Sequence, residues 1–403
     1  MLPGRLRRLL FEHLILNLAV LLGFGQVLVA QWLLTVVAGS EGFGLASGLG
    51  LAVLLVVFNV LAAPRVRRAR RGRGWAARGA RLNLESSVAI LLLGVAVALV
   101  GVVFVPAWGV AQLAGAGSEA VFRVHRWVSL LGVGGLGLLI LWGFSIGQAL
   151  VDRTRVRVQL AGLHPDLDGL RLVQISDLHI GNALEARRLE RMVARTNALE
   201  PDVIAVTGDI FDFDPSHIEQ GARRLAALRA RFGVYAVLGN HDHYTGAEEV
   251  AAGLARWAPN ITLLRDEVIR LPVEEPLYLA GVEDPGRDWT ARRLEIPGLQ
   301  AVADARPDDG PVVLLVHRPE AFEQAVRLGF PLVLAGHTHG GQIAFPTPGG
   351  RCNLARFTTG YTRGLYRHNG STLYVNRGLG VGGPALRINC PREIATIELL
   401  VKE

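Results

Sequence analysis

Five short apolar runs of this chain end in residues that bind cations or move protons. They are LRLVQISDLHIG with Asp177 and His179, PDVIAVTGDIFD with Asp209, FGVYAVLGNHDHY with Asn240, His241 and Asp242, PVVLLVHRPE with His317, and PLVLAGHTHGG with His337 and His339. One such residue at the end of an apolar segment is ordinarily a cap or a turn residue. Five ends of the same kind are not explained that way. Buried imidazoles need partners, and carboxylates beside imidazoles are what divalent transition metals prefer. The chemistry on offer is therefore metal-assisted, with Asp177, His179, Asp209, Asn240, His317, His337 and His339 as candidate ligands. Residues two apart on a strand face the same side, so Asp177 with His179, and His337 with His339, are each expected to present two groups to one site.

These ends need a frame. From about residue 158, short apolar runs alternate with amphipathic stretches such as LEARRLERMVARTNALE and HIEQGARRLAALRARF, the pattern of an α/β domain. Ligand sites in α/β sheets collect at the carboxyl ends of strands, where all five polar ends fall. Other residues receive plainer readings. His164, His217 and His368 are surface or loop residues, His13 and His125 flank apolar runs, and His243 is a pocket-lining candidate. Arg377 and Arg387 read as surface pairs, and Glu283 and Asp284 end a further apolar run.

Residues 1–157 differ in kind. Four uncharged, mostly apolar runs, about 14–37, 43–63, 88–110 and 127–151, are 21 to 25 residues long, enough for a helix to cross a bilayer. The expected organisation is a transmembrane anchor of four helices over 1–157 and a metal-site domain over 158–403. Arginines set the orientation. Arg5, Arg7 and Arg8 precede the first run, eight arginines lie between Arg65 and Arg81, and Arg153, Arg155 and Arg157 follow the fourth. The positive-inside rule then puts both termini in the cytoplasm, with Trp108 and Trp127 at the outer interface. The glycines of run four, among them Gly132, Gly134 and Gly135, predict close helix packing. No charge inside the runs points to transport.

The first 157 residues hold 16 arginines and five acidic residues, a net of +11, while the remainder, with 26 basic and 30 acidic residues, stands at −4. The chain's +7 is thus a property of the anchor, and nucleic-acid binding is not expected. Cys352 and Cys390 are too few for a disulfide framework.

The motifs DLH, GDIFD, GNHD, the lone His of VHRP, and GHTH, in that order and with about thirty residues between the first three, resemble those of the calcineurin-like metallophosphoesterases over roughly residues 168–400. SDLH, GHTHGGQ and YVNRGLGVGGPALRINCP are similar to the bacterial membrane-associated subgroup, with a departure at Pro391-Arg392-Glu393. The resemblance implies an α/β fold of two stacked sheets flanked by helices, and a site for two divalent metal ions. Asp177, His179 and His339 would hold one, Asn240, His317 and His337 the other, with Asp209 bridging. His241 would be the general acid, oriented by Asp242, and Asp212 a supporting carboxylate. Mixed nitrogen and oxygen ligation suits Mn, Fe or Zn.

The expected activity is that of a membrane-anchored phosphohydrolase. It would cleave a phosphodiester or pyrophosphate by attack of a metal-bridging hydroxide, with His241 protonating the leaving group. The anchor points to a lipid-linked precursor as substrate, membrane lipids as partners, and a multi-pass location in the bacterial inner (plasma) membrane with the domain cytoplasmic. Alternatives are a cyclic-nucleotide or general phosphomonoester hydrolase, and a non-enzymatic, phosphate-recognising signalling module.

Overall fold

The structure, a computed structural model, describes residues 14–402 apart from 41, 71–74, 115–118, 183, 185, 287–294 and 351. It divides into two units, Met1–Ser145 and Ile146–Glu403. Arg5, Arg7, Arg8, His13, Arg71 and Arg73 lie outside the described residues.

Long runs of Leu, Val and Ala make the first unit helical. Its helices are α1 (Leu14–Trp32, continued by a π turn over Leu33–Val37), α2 (Leu45–Arg70), α3 (Trp75–Leu113) and α4 (Glu119–Ser145). All four are long and apolar enough to cross a membrane. Several boundaries differ from expectation, among them the end of α2 at Arg70 and the start of α4 at Glu119. Because arginine is a good helix former, α3 starts before its apolar run and takes in Arg78 and Arg81. At the other end, α4 stops at Ser145, Gly147–Ala149 forms a 3₁₀ turn, and Val151 opens a strand. Gly143 of run four is buried, and α1 and α3 also approach closely. A Cβ on Gly94 of α3 would lie 2.8 Å from the Cα of Gly25 on α1, whereas Gly132, Gly134 and Gly135 face open space.

The second unit is mixed α/β. It opens with β1 (Val151–Leu160), β2 (Leu170–Ile175), α5 (Ala186–Asn197), β3 (Val203–Thr207), α6 (Ile218–Leu225) and β4 (Val234–Val237). Then come α7 (Asn240–Thr245), α8 (Ala247–Trp257), β5 (Ile261–Leu263), β6 (Glu267–Arg270) and β7 (Tyr278–Gly281). The chain finishes through α9 (Pro297–Asp304), β8 (Val312–Leu315), α10 (Phe322–Arg327), β9 (Leu332–Ala335), β10 (Gly364–His368), β11 (Ser371–Val375) and β12 (Arg392–Val401). One six-stranded sheet has the order β1-β12-β2-β3-β4-β5 and the other β10-β11-β9-β8-β7-β6. Strand β1 runs across residue 157 and pairs with β12 in parallel along its whole length, from Val151 opposite Arg392 to Leu160 opposite Val401.

Alternation along the central strands sorts the core into three layers. Val203, Ala205, Val237, Leu279, Val313, Leu315, Leu332 and Leu334 fill the space between the sheets. Ile204, Val206 and Ala236 turn outward under the helical residues Leu189, Met192, Ala222 and Leu254. On the other sheet Leu314 and Val333 meet Leu299, Val302, Phe322 and Ala325. Strands covered on both faces read as unbroken apolar runs, which is why only their ends carry polar residues.

Candidate metal centre

Strands β2, β3 and β4 are parallel neighbours in one sheet, and β8 and β9 in the other, so the five polar ends meet at one edge of the stacked sheets. All seven candidate ligands are brought together there. The means differs from the expected strand alternation, because β2 ends at Ile175 and β9 at Ala335, before the ligands begin. Asp177, His179, Asp209, His337 and His339 instead have positive φ, of 51°, 46°, 52°, 72° and 50°. A left-handed non-glycine residue costs on the order of 1–3 kcal/mol and persists only where its surroundings impose it. Here they do: the Asp177 N–H donates to the Gly208 carbonyl and the His179 N–H to that of Asp209, each at 3.0 Å. Gly208 has no alternative at φ 82°, since a Cβ would sit 2.9 Å from the Gly239 nitrogen.

Two clusters result. In the first, Asp177, His179 and His339 offer ligand atoms to one point, with the Nε2 atoms of the two imidazoles 3.0 Å apart. In the second, Asp209, His317 and His337 converge, with His337 Nδ1 3.1 Å from His317 Nε2. Two nitrogens on one cation at ~2.0–2.1 Å, at right angles to tetrahedral, stand roughly 2.9–3.4 Å apart, so both pairs fit a shared metal. Asp209 lies between the clusters, its Oδ2 3.2 Å from His317 Nε2 and 3.5 Å from His179 Nε2. Asn240 Oδ1, buried beside them, has no hydrogen-bond partner. Orphaned buried acceptors are costly unless something else meets them, and a cation does. His317 is fixed by its Nδ1, 2.9 Å from the Thr207 carbonyl, which turns Nε2 inward.

The electrostatics agree with that fit. Burial alone would lower His179 and His317, but nearby carboxylates prevail. Asp212, Asp209 and Asp177 carry His179 up to about 9, and Asp209 with Asp177 carries His317 up to about 10. His339 goes the other way, held well below its usual range by burial and by His179 and Arg387. This edge of the domain concentrates negative charge that positive charge must meet.

One expected role is corrected. His241 Nδ1 lies 2.6 Å from Asp212 Oδ1, so Asp212 and not Asp242 orients the ring. Asp242 is buried and occupied elsewhere. It accepts the N–H groups of Gly239, Ile210 and Phe211 at 2.9, 3.1 and 2.8 Å, bracing the turn that carries Asp209 to the start of α7. Burial and the charge of Asp209 raise Asp242 to about 6. Adjacency in the chain suggested Asp242; on a helix, neighbouring side chains point apart.

Other residues around the site were read differently or missed. Asp284 forms a two-point buried pair with Arg318 at 2.7 and 2.9 Å and so anchors the residue after His317; its signal was a carboxylate at a strand end. Arg387 is not a surface pair but fully buried, donating to the carbonyls of Arg377, Gly378, Gly380 and Cys390. That loop lies against the ligands: Gly380 N–H donates to the Asp177 carbonyl, and a Cβ on Gly378 would lie 2.7 Å from that of Asp177. Arg377 pairs with Glu393 and Asp152, each at 3.1 Å. His243 faces Glu283 at 3.6 Å. Both cysteines are free, Cys352 exposed and Cys390 buried.

A family model described as calcineurin-like phosphoesterase matches residues 170–341, the stretch containing every candidate ligand. A transmembrane protein with metallophosphoesterase domain from Danio rerio is 34% identical over 255 residues, 60% of this chain and 56% of that protein. The match therefore spans little more than half of that relative. Uncharacterized metallophosphoesterases of Campylobacter jejuni and Helicobacter pylori are 32% and 31% identical, covering 66% and 71% of this chain and 70% and 72% of theirs. A solved dimetal phosphatase from Danio rerio aligns with a TM-score of 0.36 at 13% identity over 58% of this chain and 93% of that one, too low a likeness to bear on the site. With the ordered motifs, the stacked sheets and relatives covered over more than two thirds of their length, the chain belongs to the calcineurin-like metallophosphoesterases.

Proposed function

We propose that this chain is a membrane-anchored, two-metal phosphohydrolase that cleaves a phosphodiester or pyrophosphate, with a lipid-linked precursor as its substrate. The observation that carries the reading is the pair of imidazole contacts at 3.0 and 3.1 Å flanking Asp209. Asp177, His179 and His339 would hold one cation, Asn240, His317 and His337 the other, with Asp209 shared between them. Bound there, two divalent cations, Mn, Fe or Zn, bind the phosphoryl group, acidify water and stabilise charge on the entering and leaving oxygens. The rest is the work of the chain's own groups. Asp212 fixes His241 through Nδ1, which leaves Nε2 to give a proton to the departing oxygen. Asp242 and the Arg387 loop keep the ligand turns in place. The four apolar helices support a multi-pass location in a bacterial inner membrane, the arginine pattern supports a cytoplasmic domain, and the anchor supports a lipid-linked substrate.

The test is hydrolysis of bis-p-nitrophenyl phosphate beside p-nitrophenyl phosphate by the full chain in detergent, stripped of metal and reloaded with Mn²⁺. Metal-dependent turnover is expected, faster on the diester and lost in Asp209→Asn. Turnover equal in Asp209→Asn would overturn the reading.

A further inference from the structure

Two large aromatic side chains remain partly exposed beside His241. Phe213 is 39% and Tyr244 38% exposed. Their rings are stacked, 5.6 Å between centroids and 12° from parallel. Each also touches the imidazole of His241, at 5.0 Å from Phe213 and 5.3 Å from Tyr244, while His241 touches the candidate ligand His179 at 4.5 Å. The backbone is strained to achieve this. Phe213 has φ 57°, at the centre of a turn in which the Asp214 N–H donates to the Asp212 carbonyl at 2.8 Å. A bulky residue in that conformation is a genuine outlier, and strain of this kind gathers where a side chain must be aimed. Asn would occupy the same backbone more easily. Tyr244 sits on the last turn of α7, its hydroxyl within bonding reach of the Asn240 side chain.

We infer that Phe213 and Tyr244 form a stacking platform for the leaving group, which carries a flat aromatic ring, as in a nucleoside or aryl ester. This rests on the proposed hydrolase reading, since it is His241 as proton donor that places the leaving group against these rings. In the hydrolysis, water oxygen bonds to phosphorus, the phosphorus–oxygen bond to the leaving group breaks, and one proton passes to that oxygen. The platform takes no part in the bond changes. It holds the leaving oxygen at the donor by gripping what lies beyond it. An acyl chain would gain from the same surface only through its area, whereas a flat ring gains further from offset or edge-on packing.

The experiment compares two diesters with leaving groups of equal basicity, bis(2-phenylethyl) phosphate and bis(2-cyclohexylethyl) phosphate, on the metal-loaded full chain. Binding of 3-phenylpropylphosphonate and 3-cyclohexylpropylphosphonate, neither of which can be cleaved, is measured alongside. The wild type is expected to favour the phenyl compound in kcat/KM and in Kd, with each ring supplying a factor of roughly 2–10. Phe213→Asn and Tyr244→Leu should each move both ratios towards one, while Phe213→Tyr and Tyr244→Phe keep them. Because Asn suits the Phe213 backbone, an unchanged or raised melting temperature in Phe213→Asn would separate a lost platform from a damaged fold. A cyclohexyl compound bound and cleaved as well as its phenyl partner, or a phenyl preference untouched by Phe213→Asn, would overturn the platform alone. Diesters left uncleaved, with phosphonate binding identical in wild type and Asp209→Asn, would overturn the two-metal reading and the platform with it.

Discussion

Among the described residues of the catalytic domain, histidine and carboxylates gather in groups of three or more at two places, and only one of them is built as a site. At the carboxyl ends of the strands, His179 and Asp209 have side chains 1% and 2% exposed, and His241 sits 2.6 Å from Asp212. At the start of β2, His164, Asp166 and Glu275 also offer three ligand atoms within reach of one another. There the side chains are 44%, 74% and 34% exposed and the separations 3.6 and 3.8 Å. His164 is already used, its Nδ1 accepting the Asp166 N–H to cap a 3₁₀ turn over Pro165–Leu167. Residue types are the same in both. What differs is that water satisfies one set, while the fold strips water from the other and leaves acceptors unmet.

Substitutions can break that comparison. The largest effect is expected for His179→Ala, which should abolish metal-dependent turnover and lower bound metal measured by plasma emission, while His164→Ala leaves both unchanged. Equal loss in the two variants would mean that burial does not distinguish them. Next comes His241→Ala, expected to cost ~10²–10⁴-fold on an alkyl diester and far less on a p-nitrophenyl ester, whose leaving group needs no proton. Its metal content should stay at the wild-type level. Asp212→Asn follows at roughly 10–100-fold on the alkyl diester, because the ring loses the carboxylate that orients it; steady-state kinetics on the same pair of substrates would show it.

The smallest effect on catalysis is expected where a buried carboxylate is fully partnered. Glu393 bonds Arg377, Tyr374 and Thr154, and although burial would raise it, these partners hold its pKa below the ordinary value. A carboxyl lowered on folding contributes stability above its unfolded pKa of ~4.3, and that contribution fades as pH falls through the folded value. Glu393→Gln should therefore lose on the order of 3 kcal/mol at pH 7 by urea unfolding, with the deficit shrinking as pH drops below about 4. Turnover per folded molecule should hardly move. A deficit that stayed constant down to pH 3 would contradict the assignment.

Strand β1 also shapes experiments. A fragment beginning at residue 158 would remove most of the pairing of β1 with β12, together with Gln148, whose backbone and side chain receive Arg392 at 2.6 and 3.1 Å. The change of hydropathy pattern suggested a boundary at 157, but such a change marks the edge of an apolar segment, while hydrogen bonding decides where a folded unit starts. Measurements on the full chain avoid the ambiguity.

Much of the site was legible in the linear order of residues because its ligands follow buried strands directly. Apolar runs covered on both faces have to end, and Asp177, His179, Asp209, Asn240, His317, His337 and His339 all stand within a few residues of such ends. Four apolar segments of spanning length were equally plain, since hydropathy and length are properties of the chain alone. Tertiary structure decided what depends on direction and on distant partners. Left-handed turns, rather than strand alternation, aim five of the candidate ligands. Asp212, 29 residues from His241, and not the adjacent Asp242, meets the ring. Arg387 and Glu393 proved to be buried supports, and Phe213 and Tyr244 came together beside His241. The physical reason is common to these cases. Composition and period record which residues must leave water, but the partner each polar group finds there is set by the path of the backbone between them.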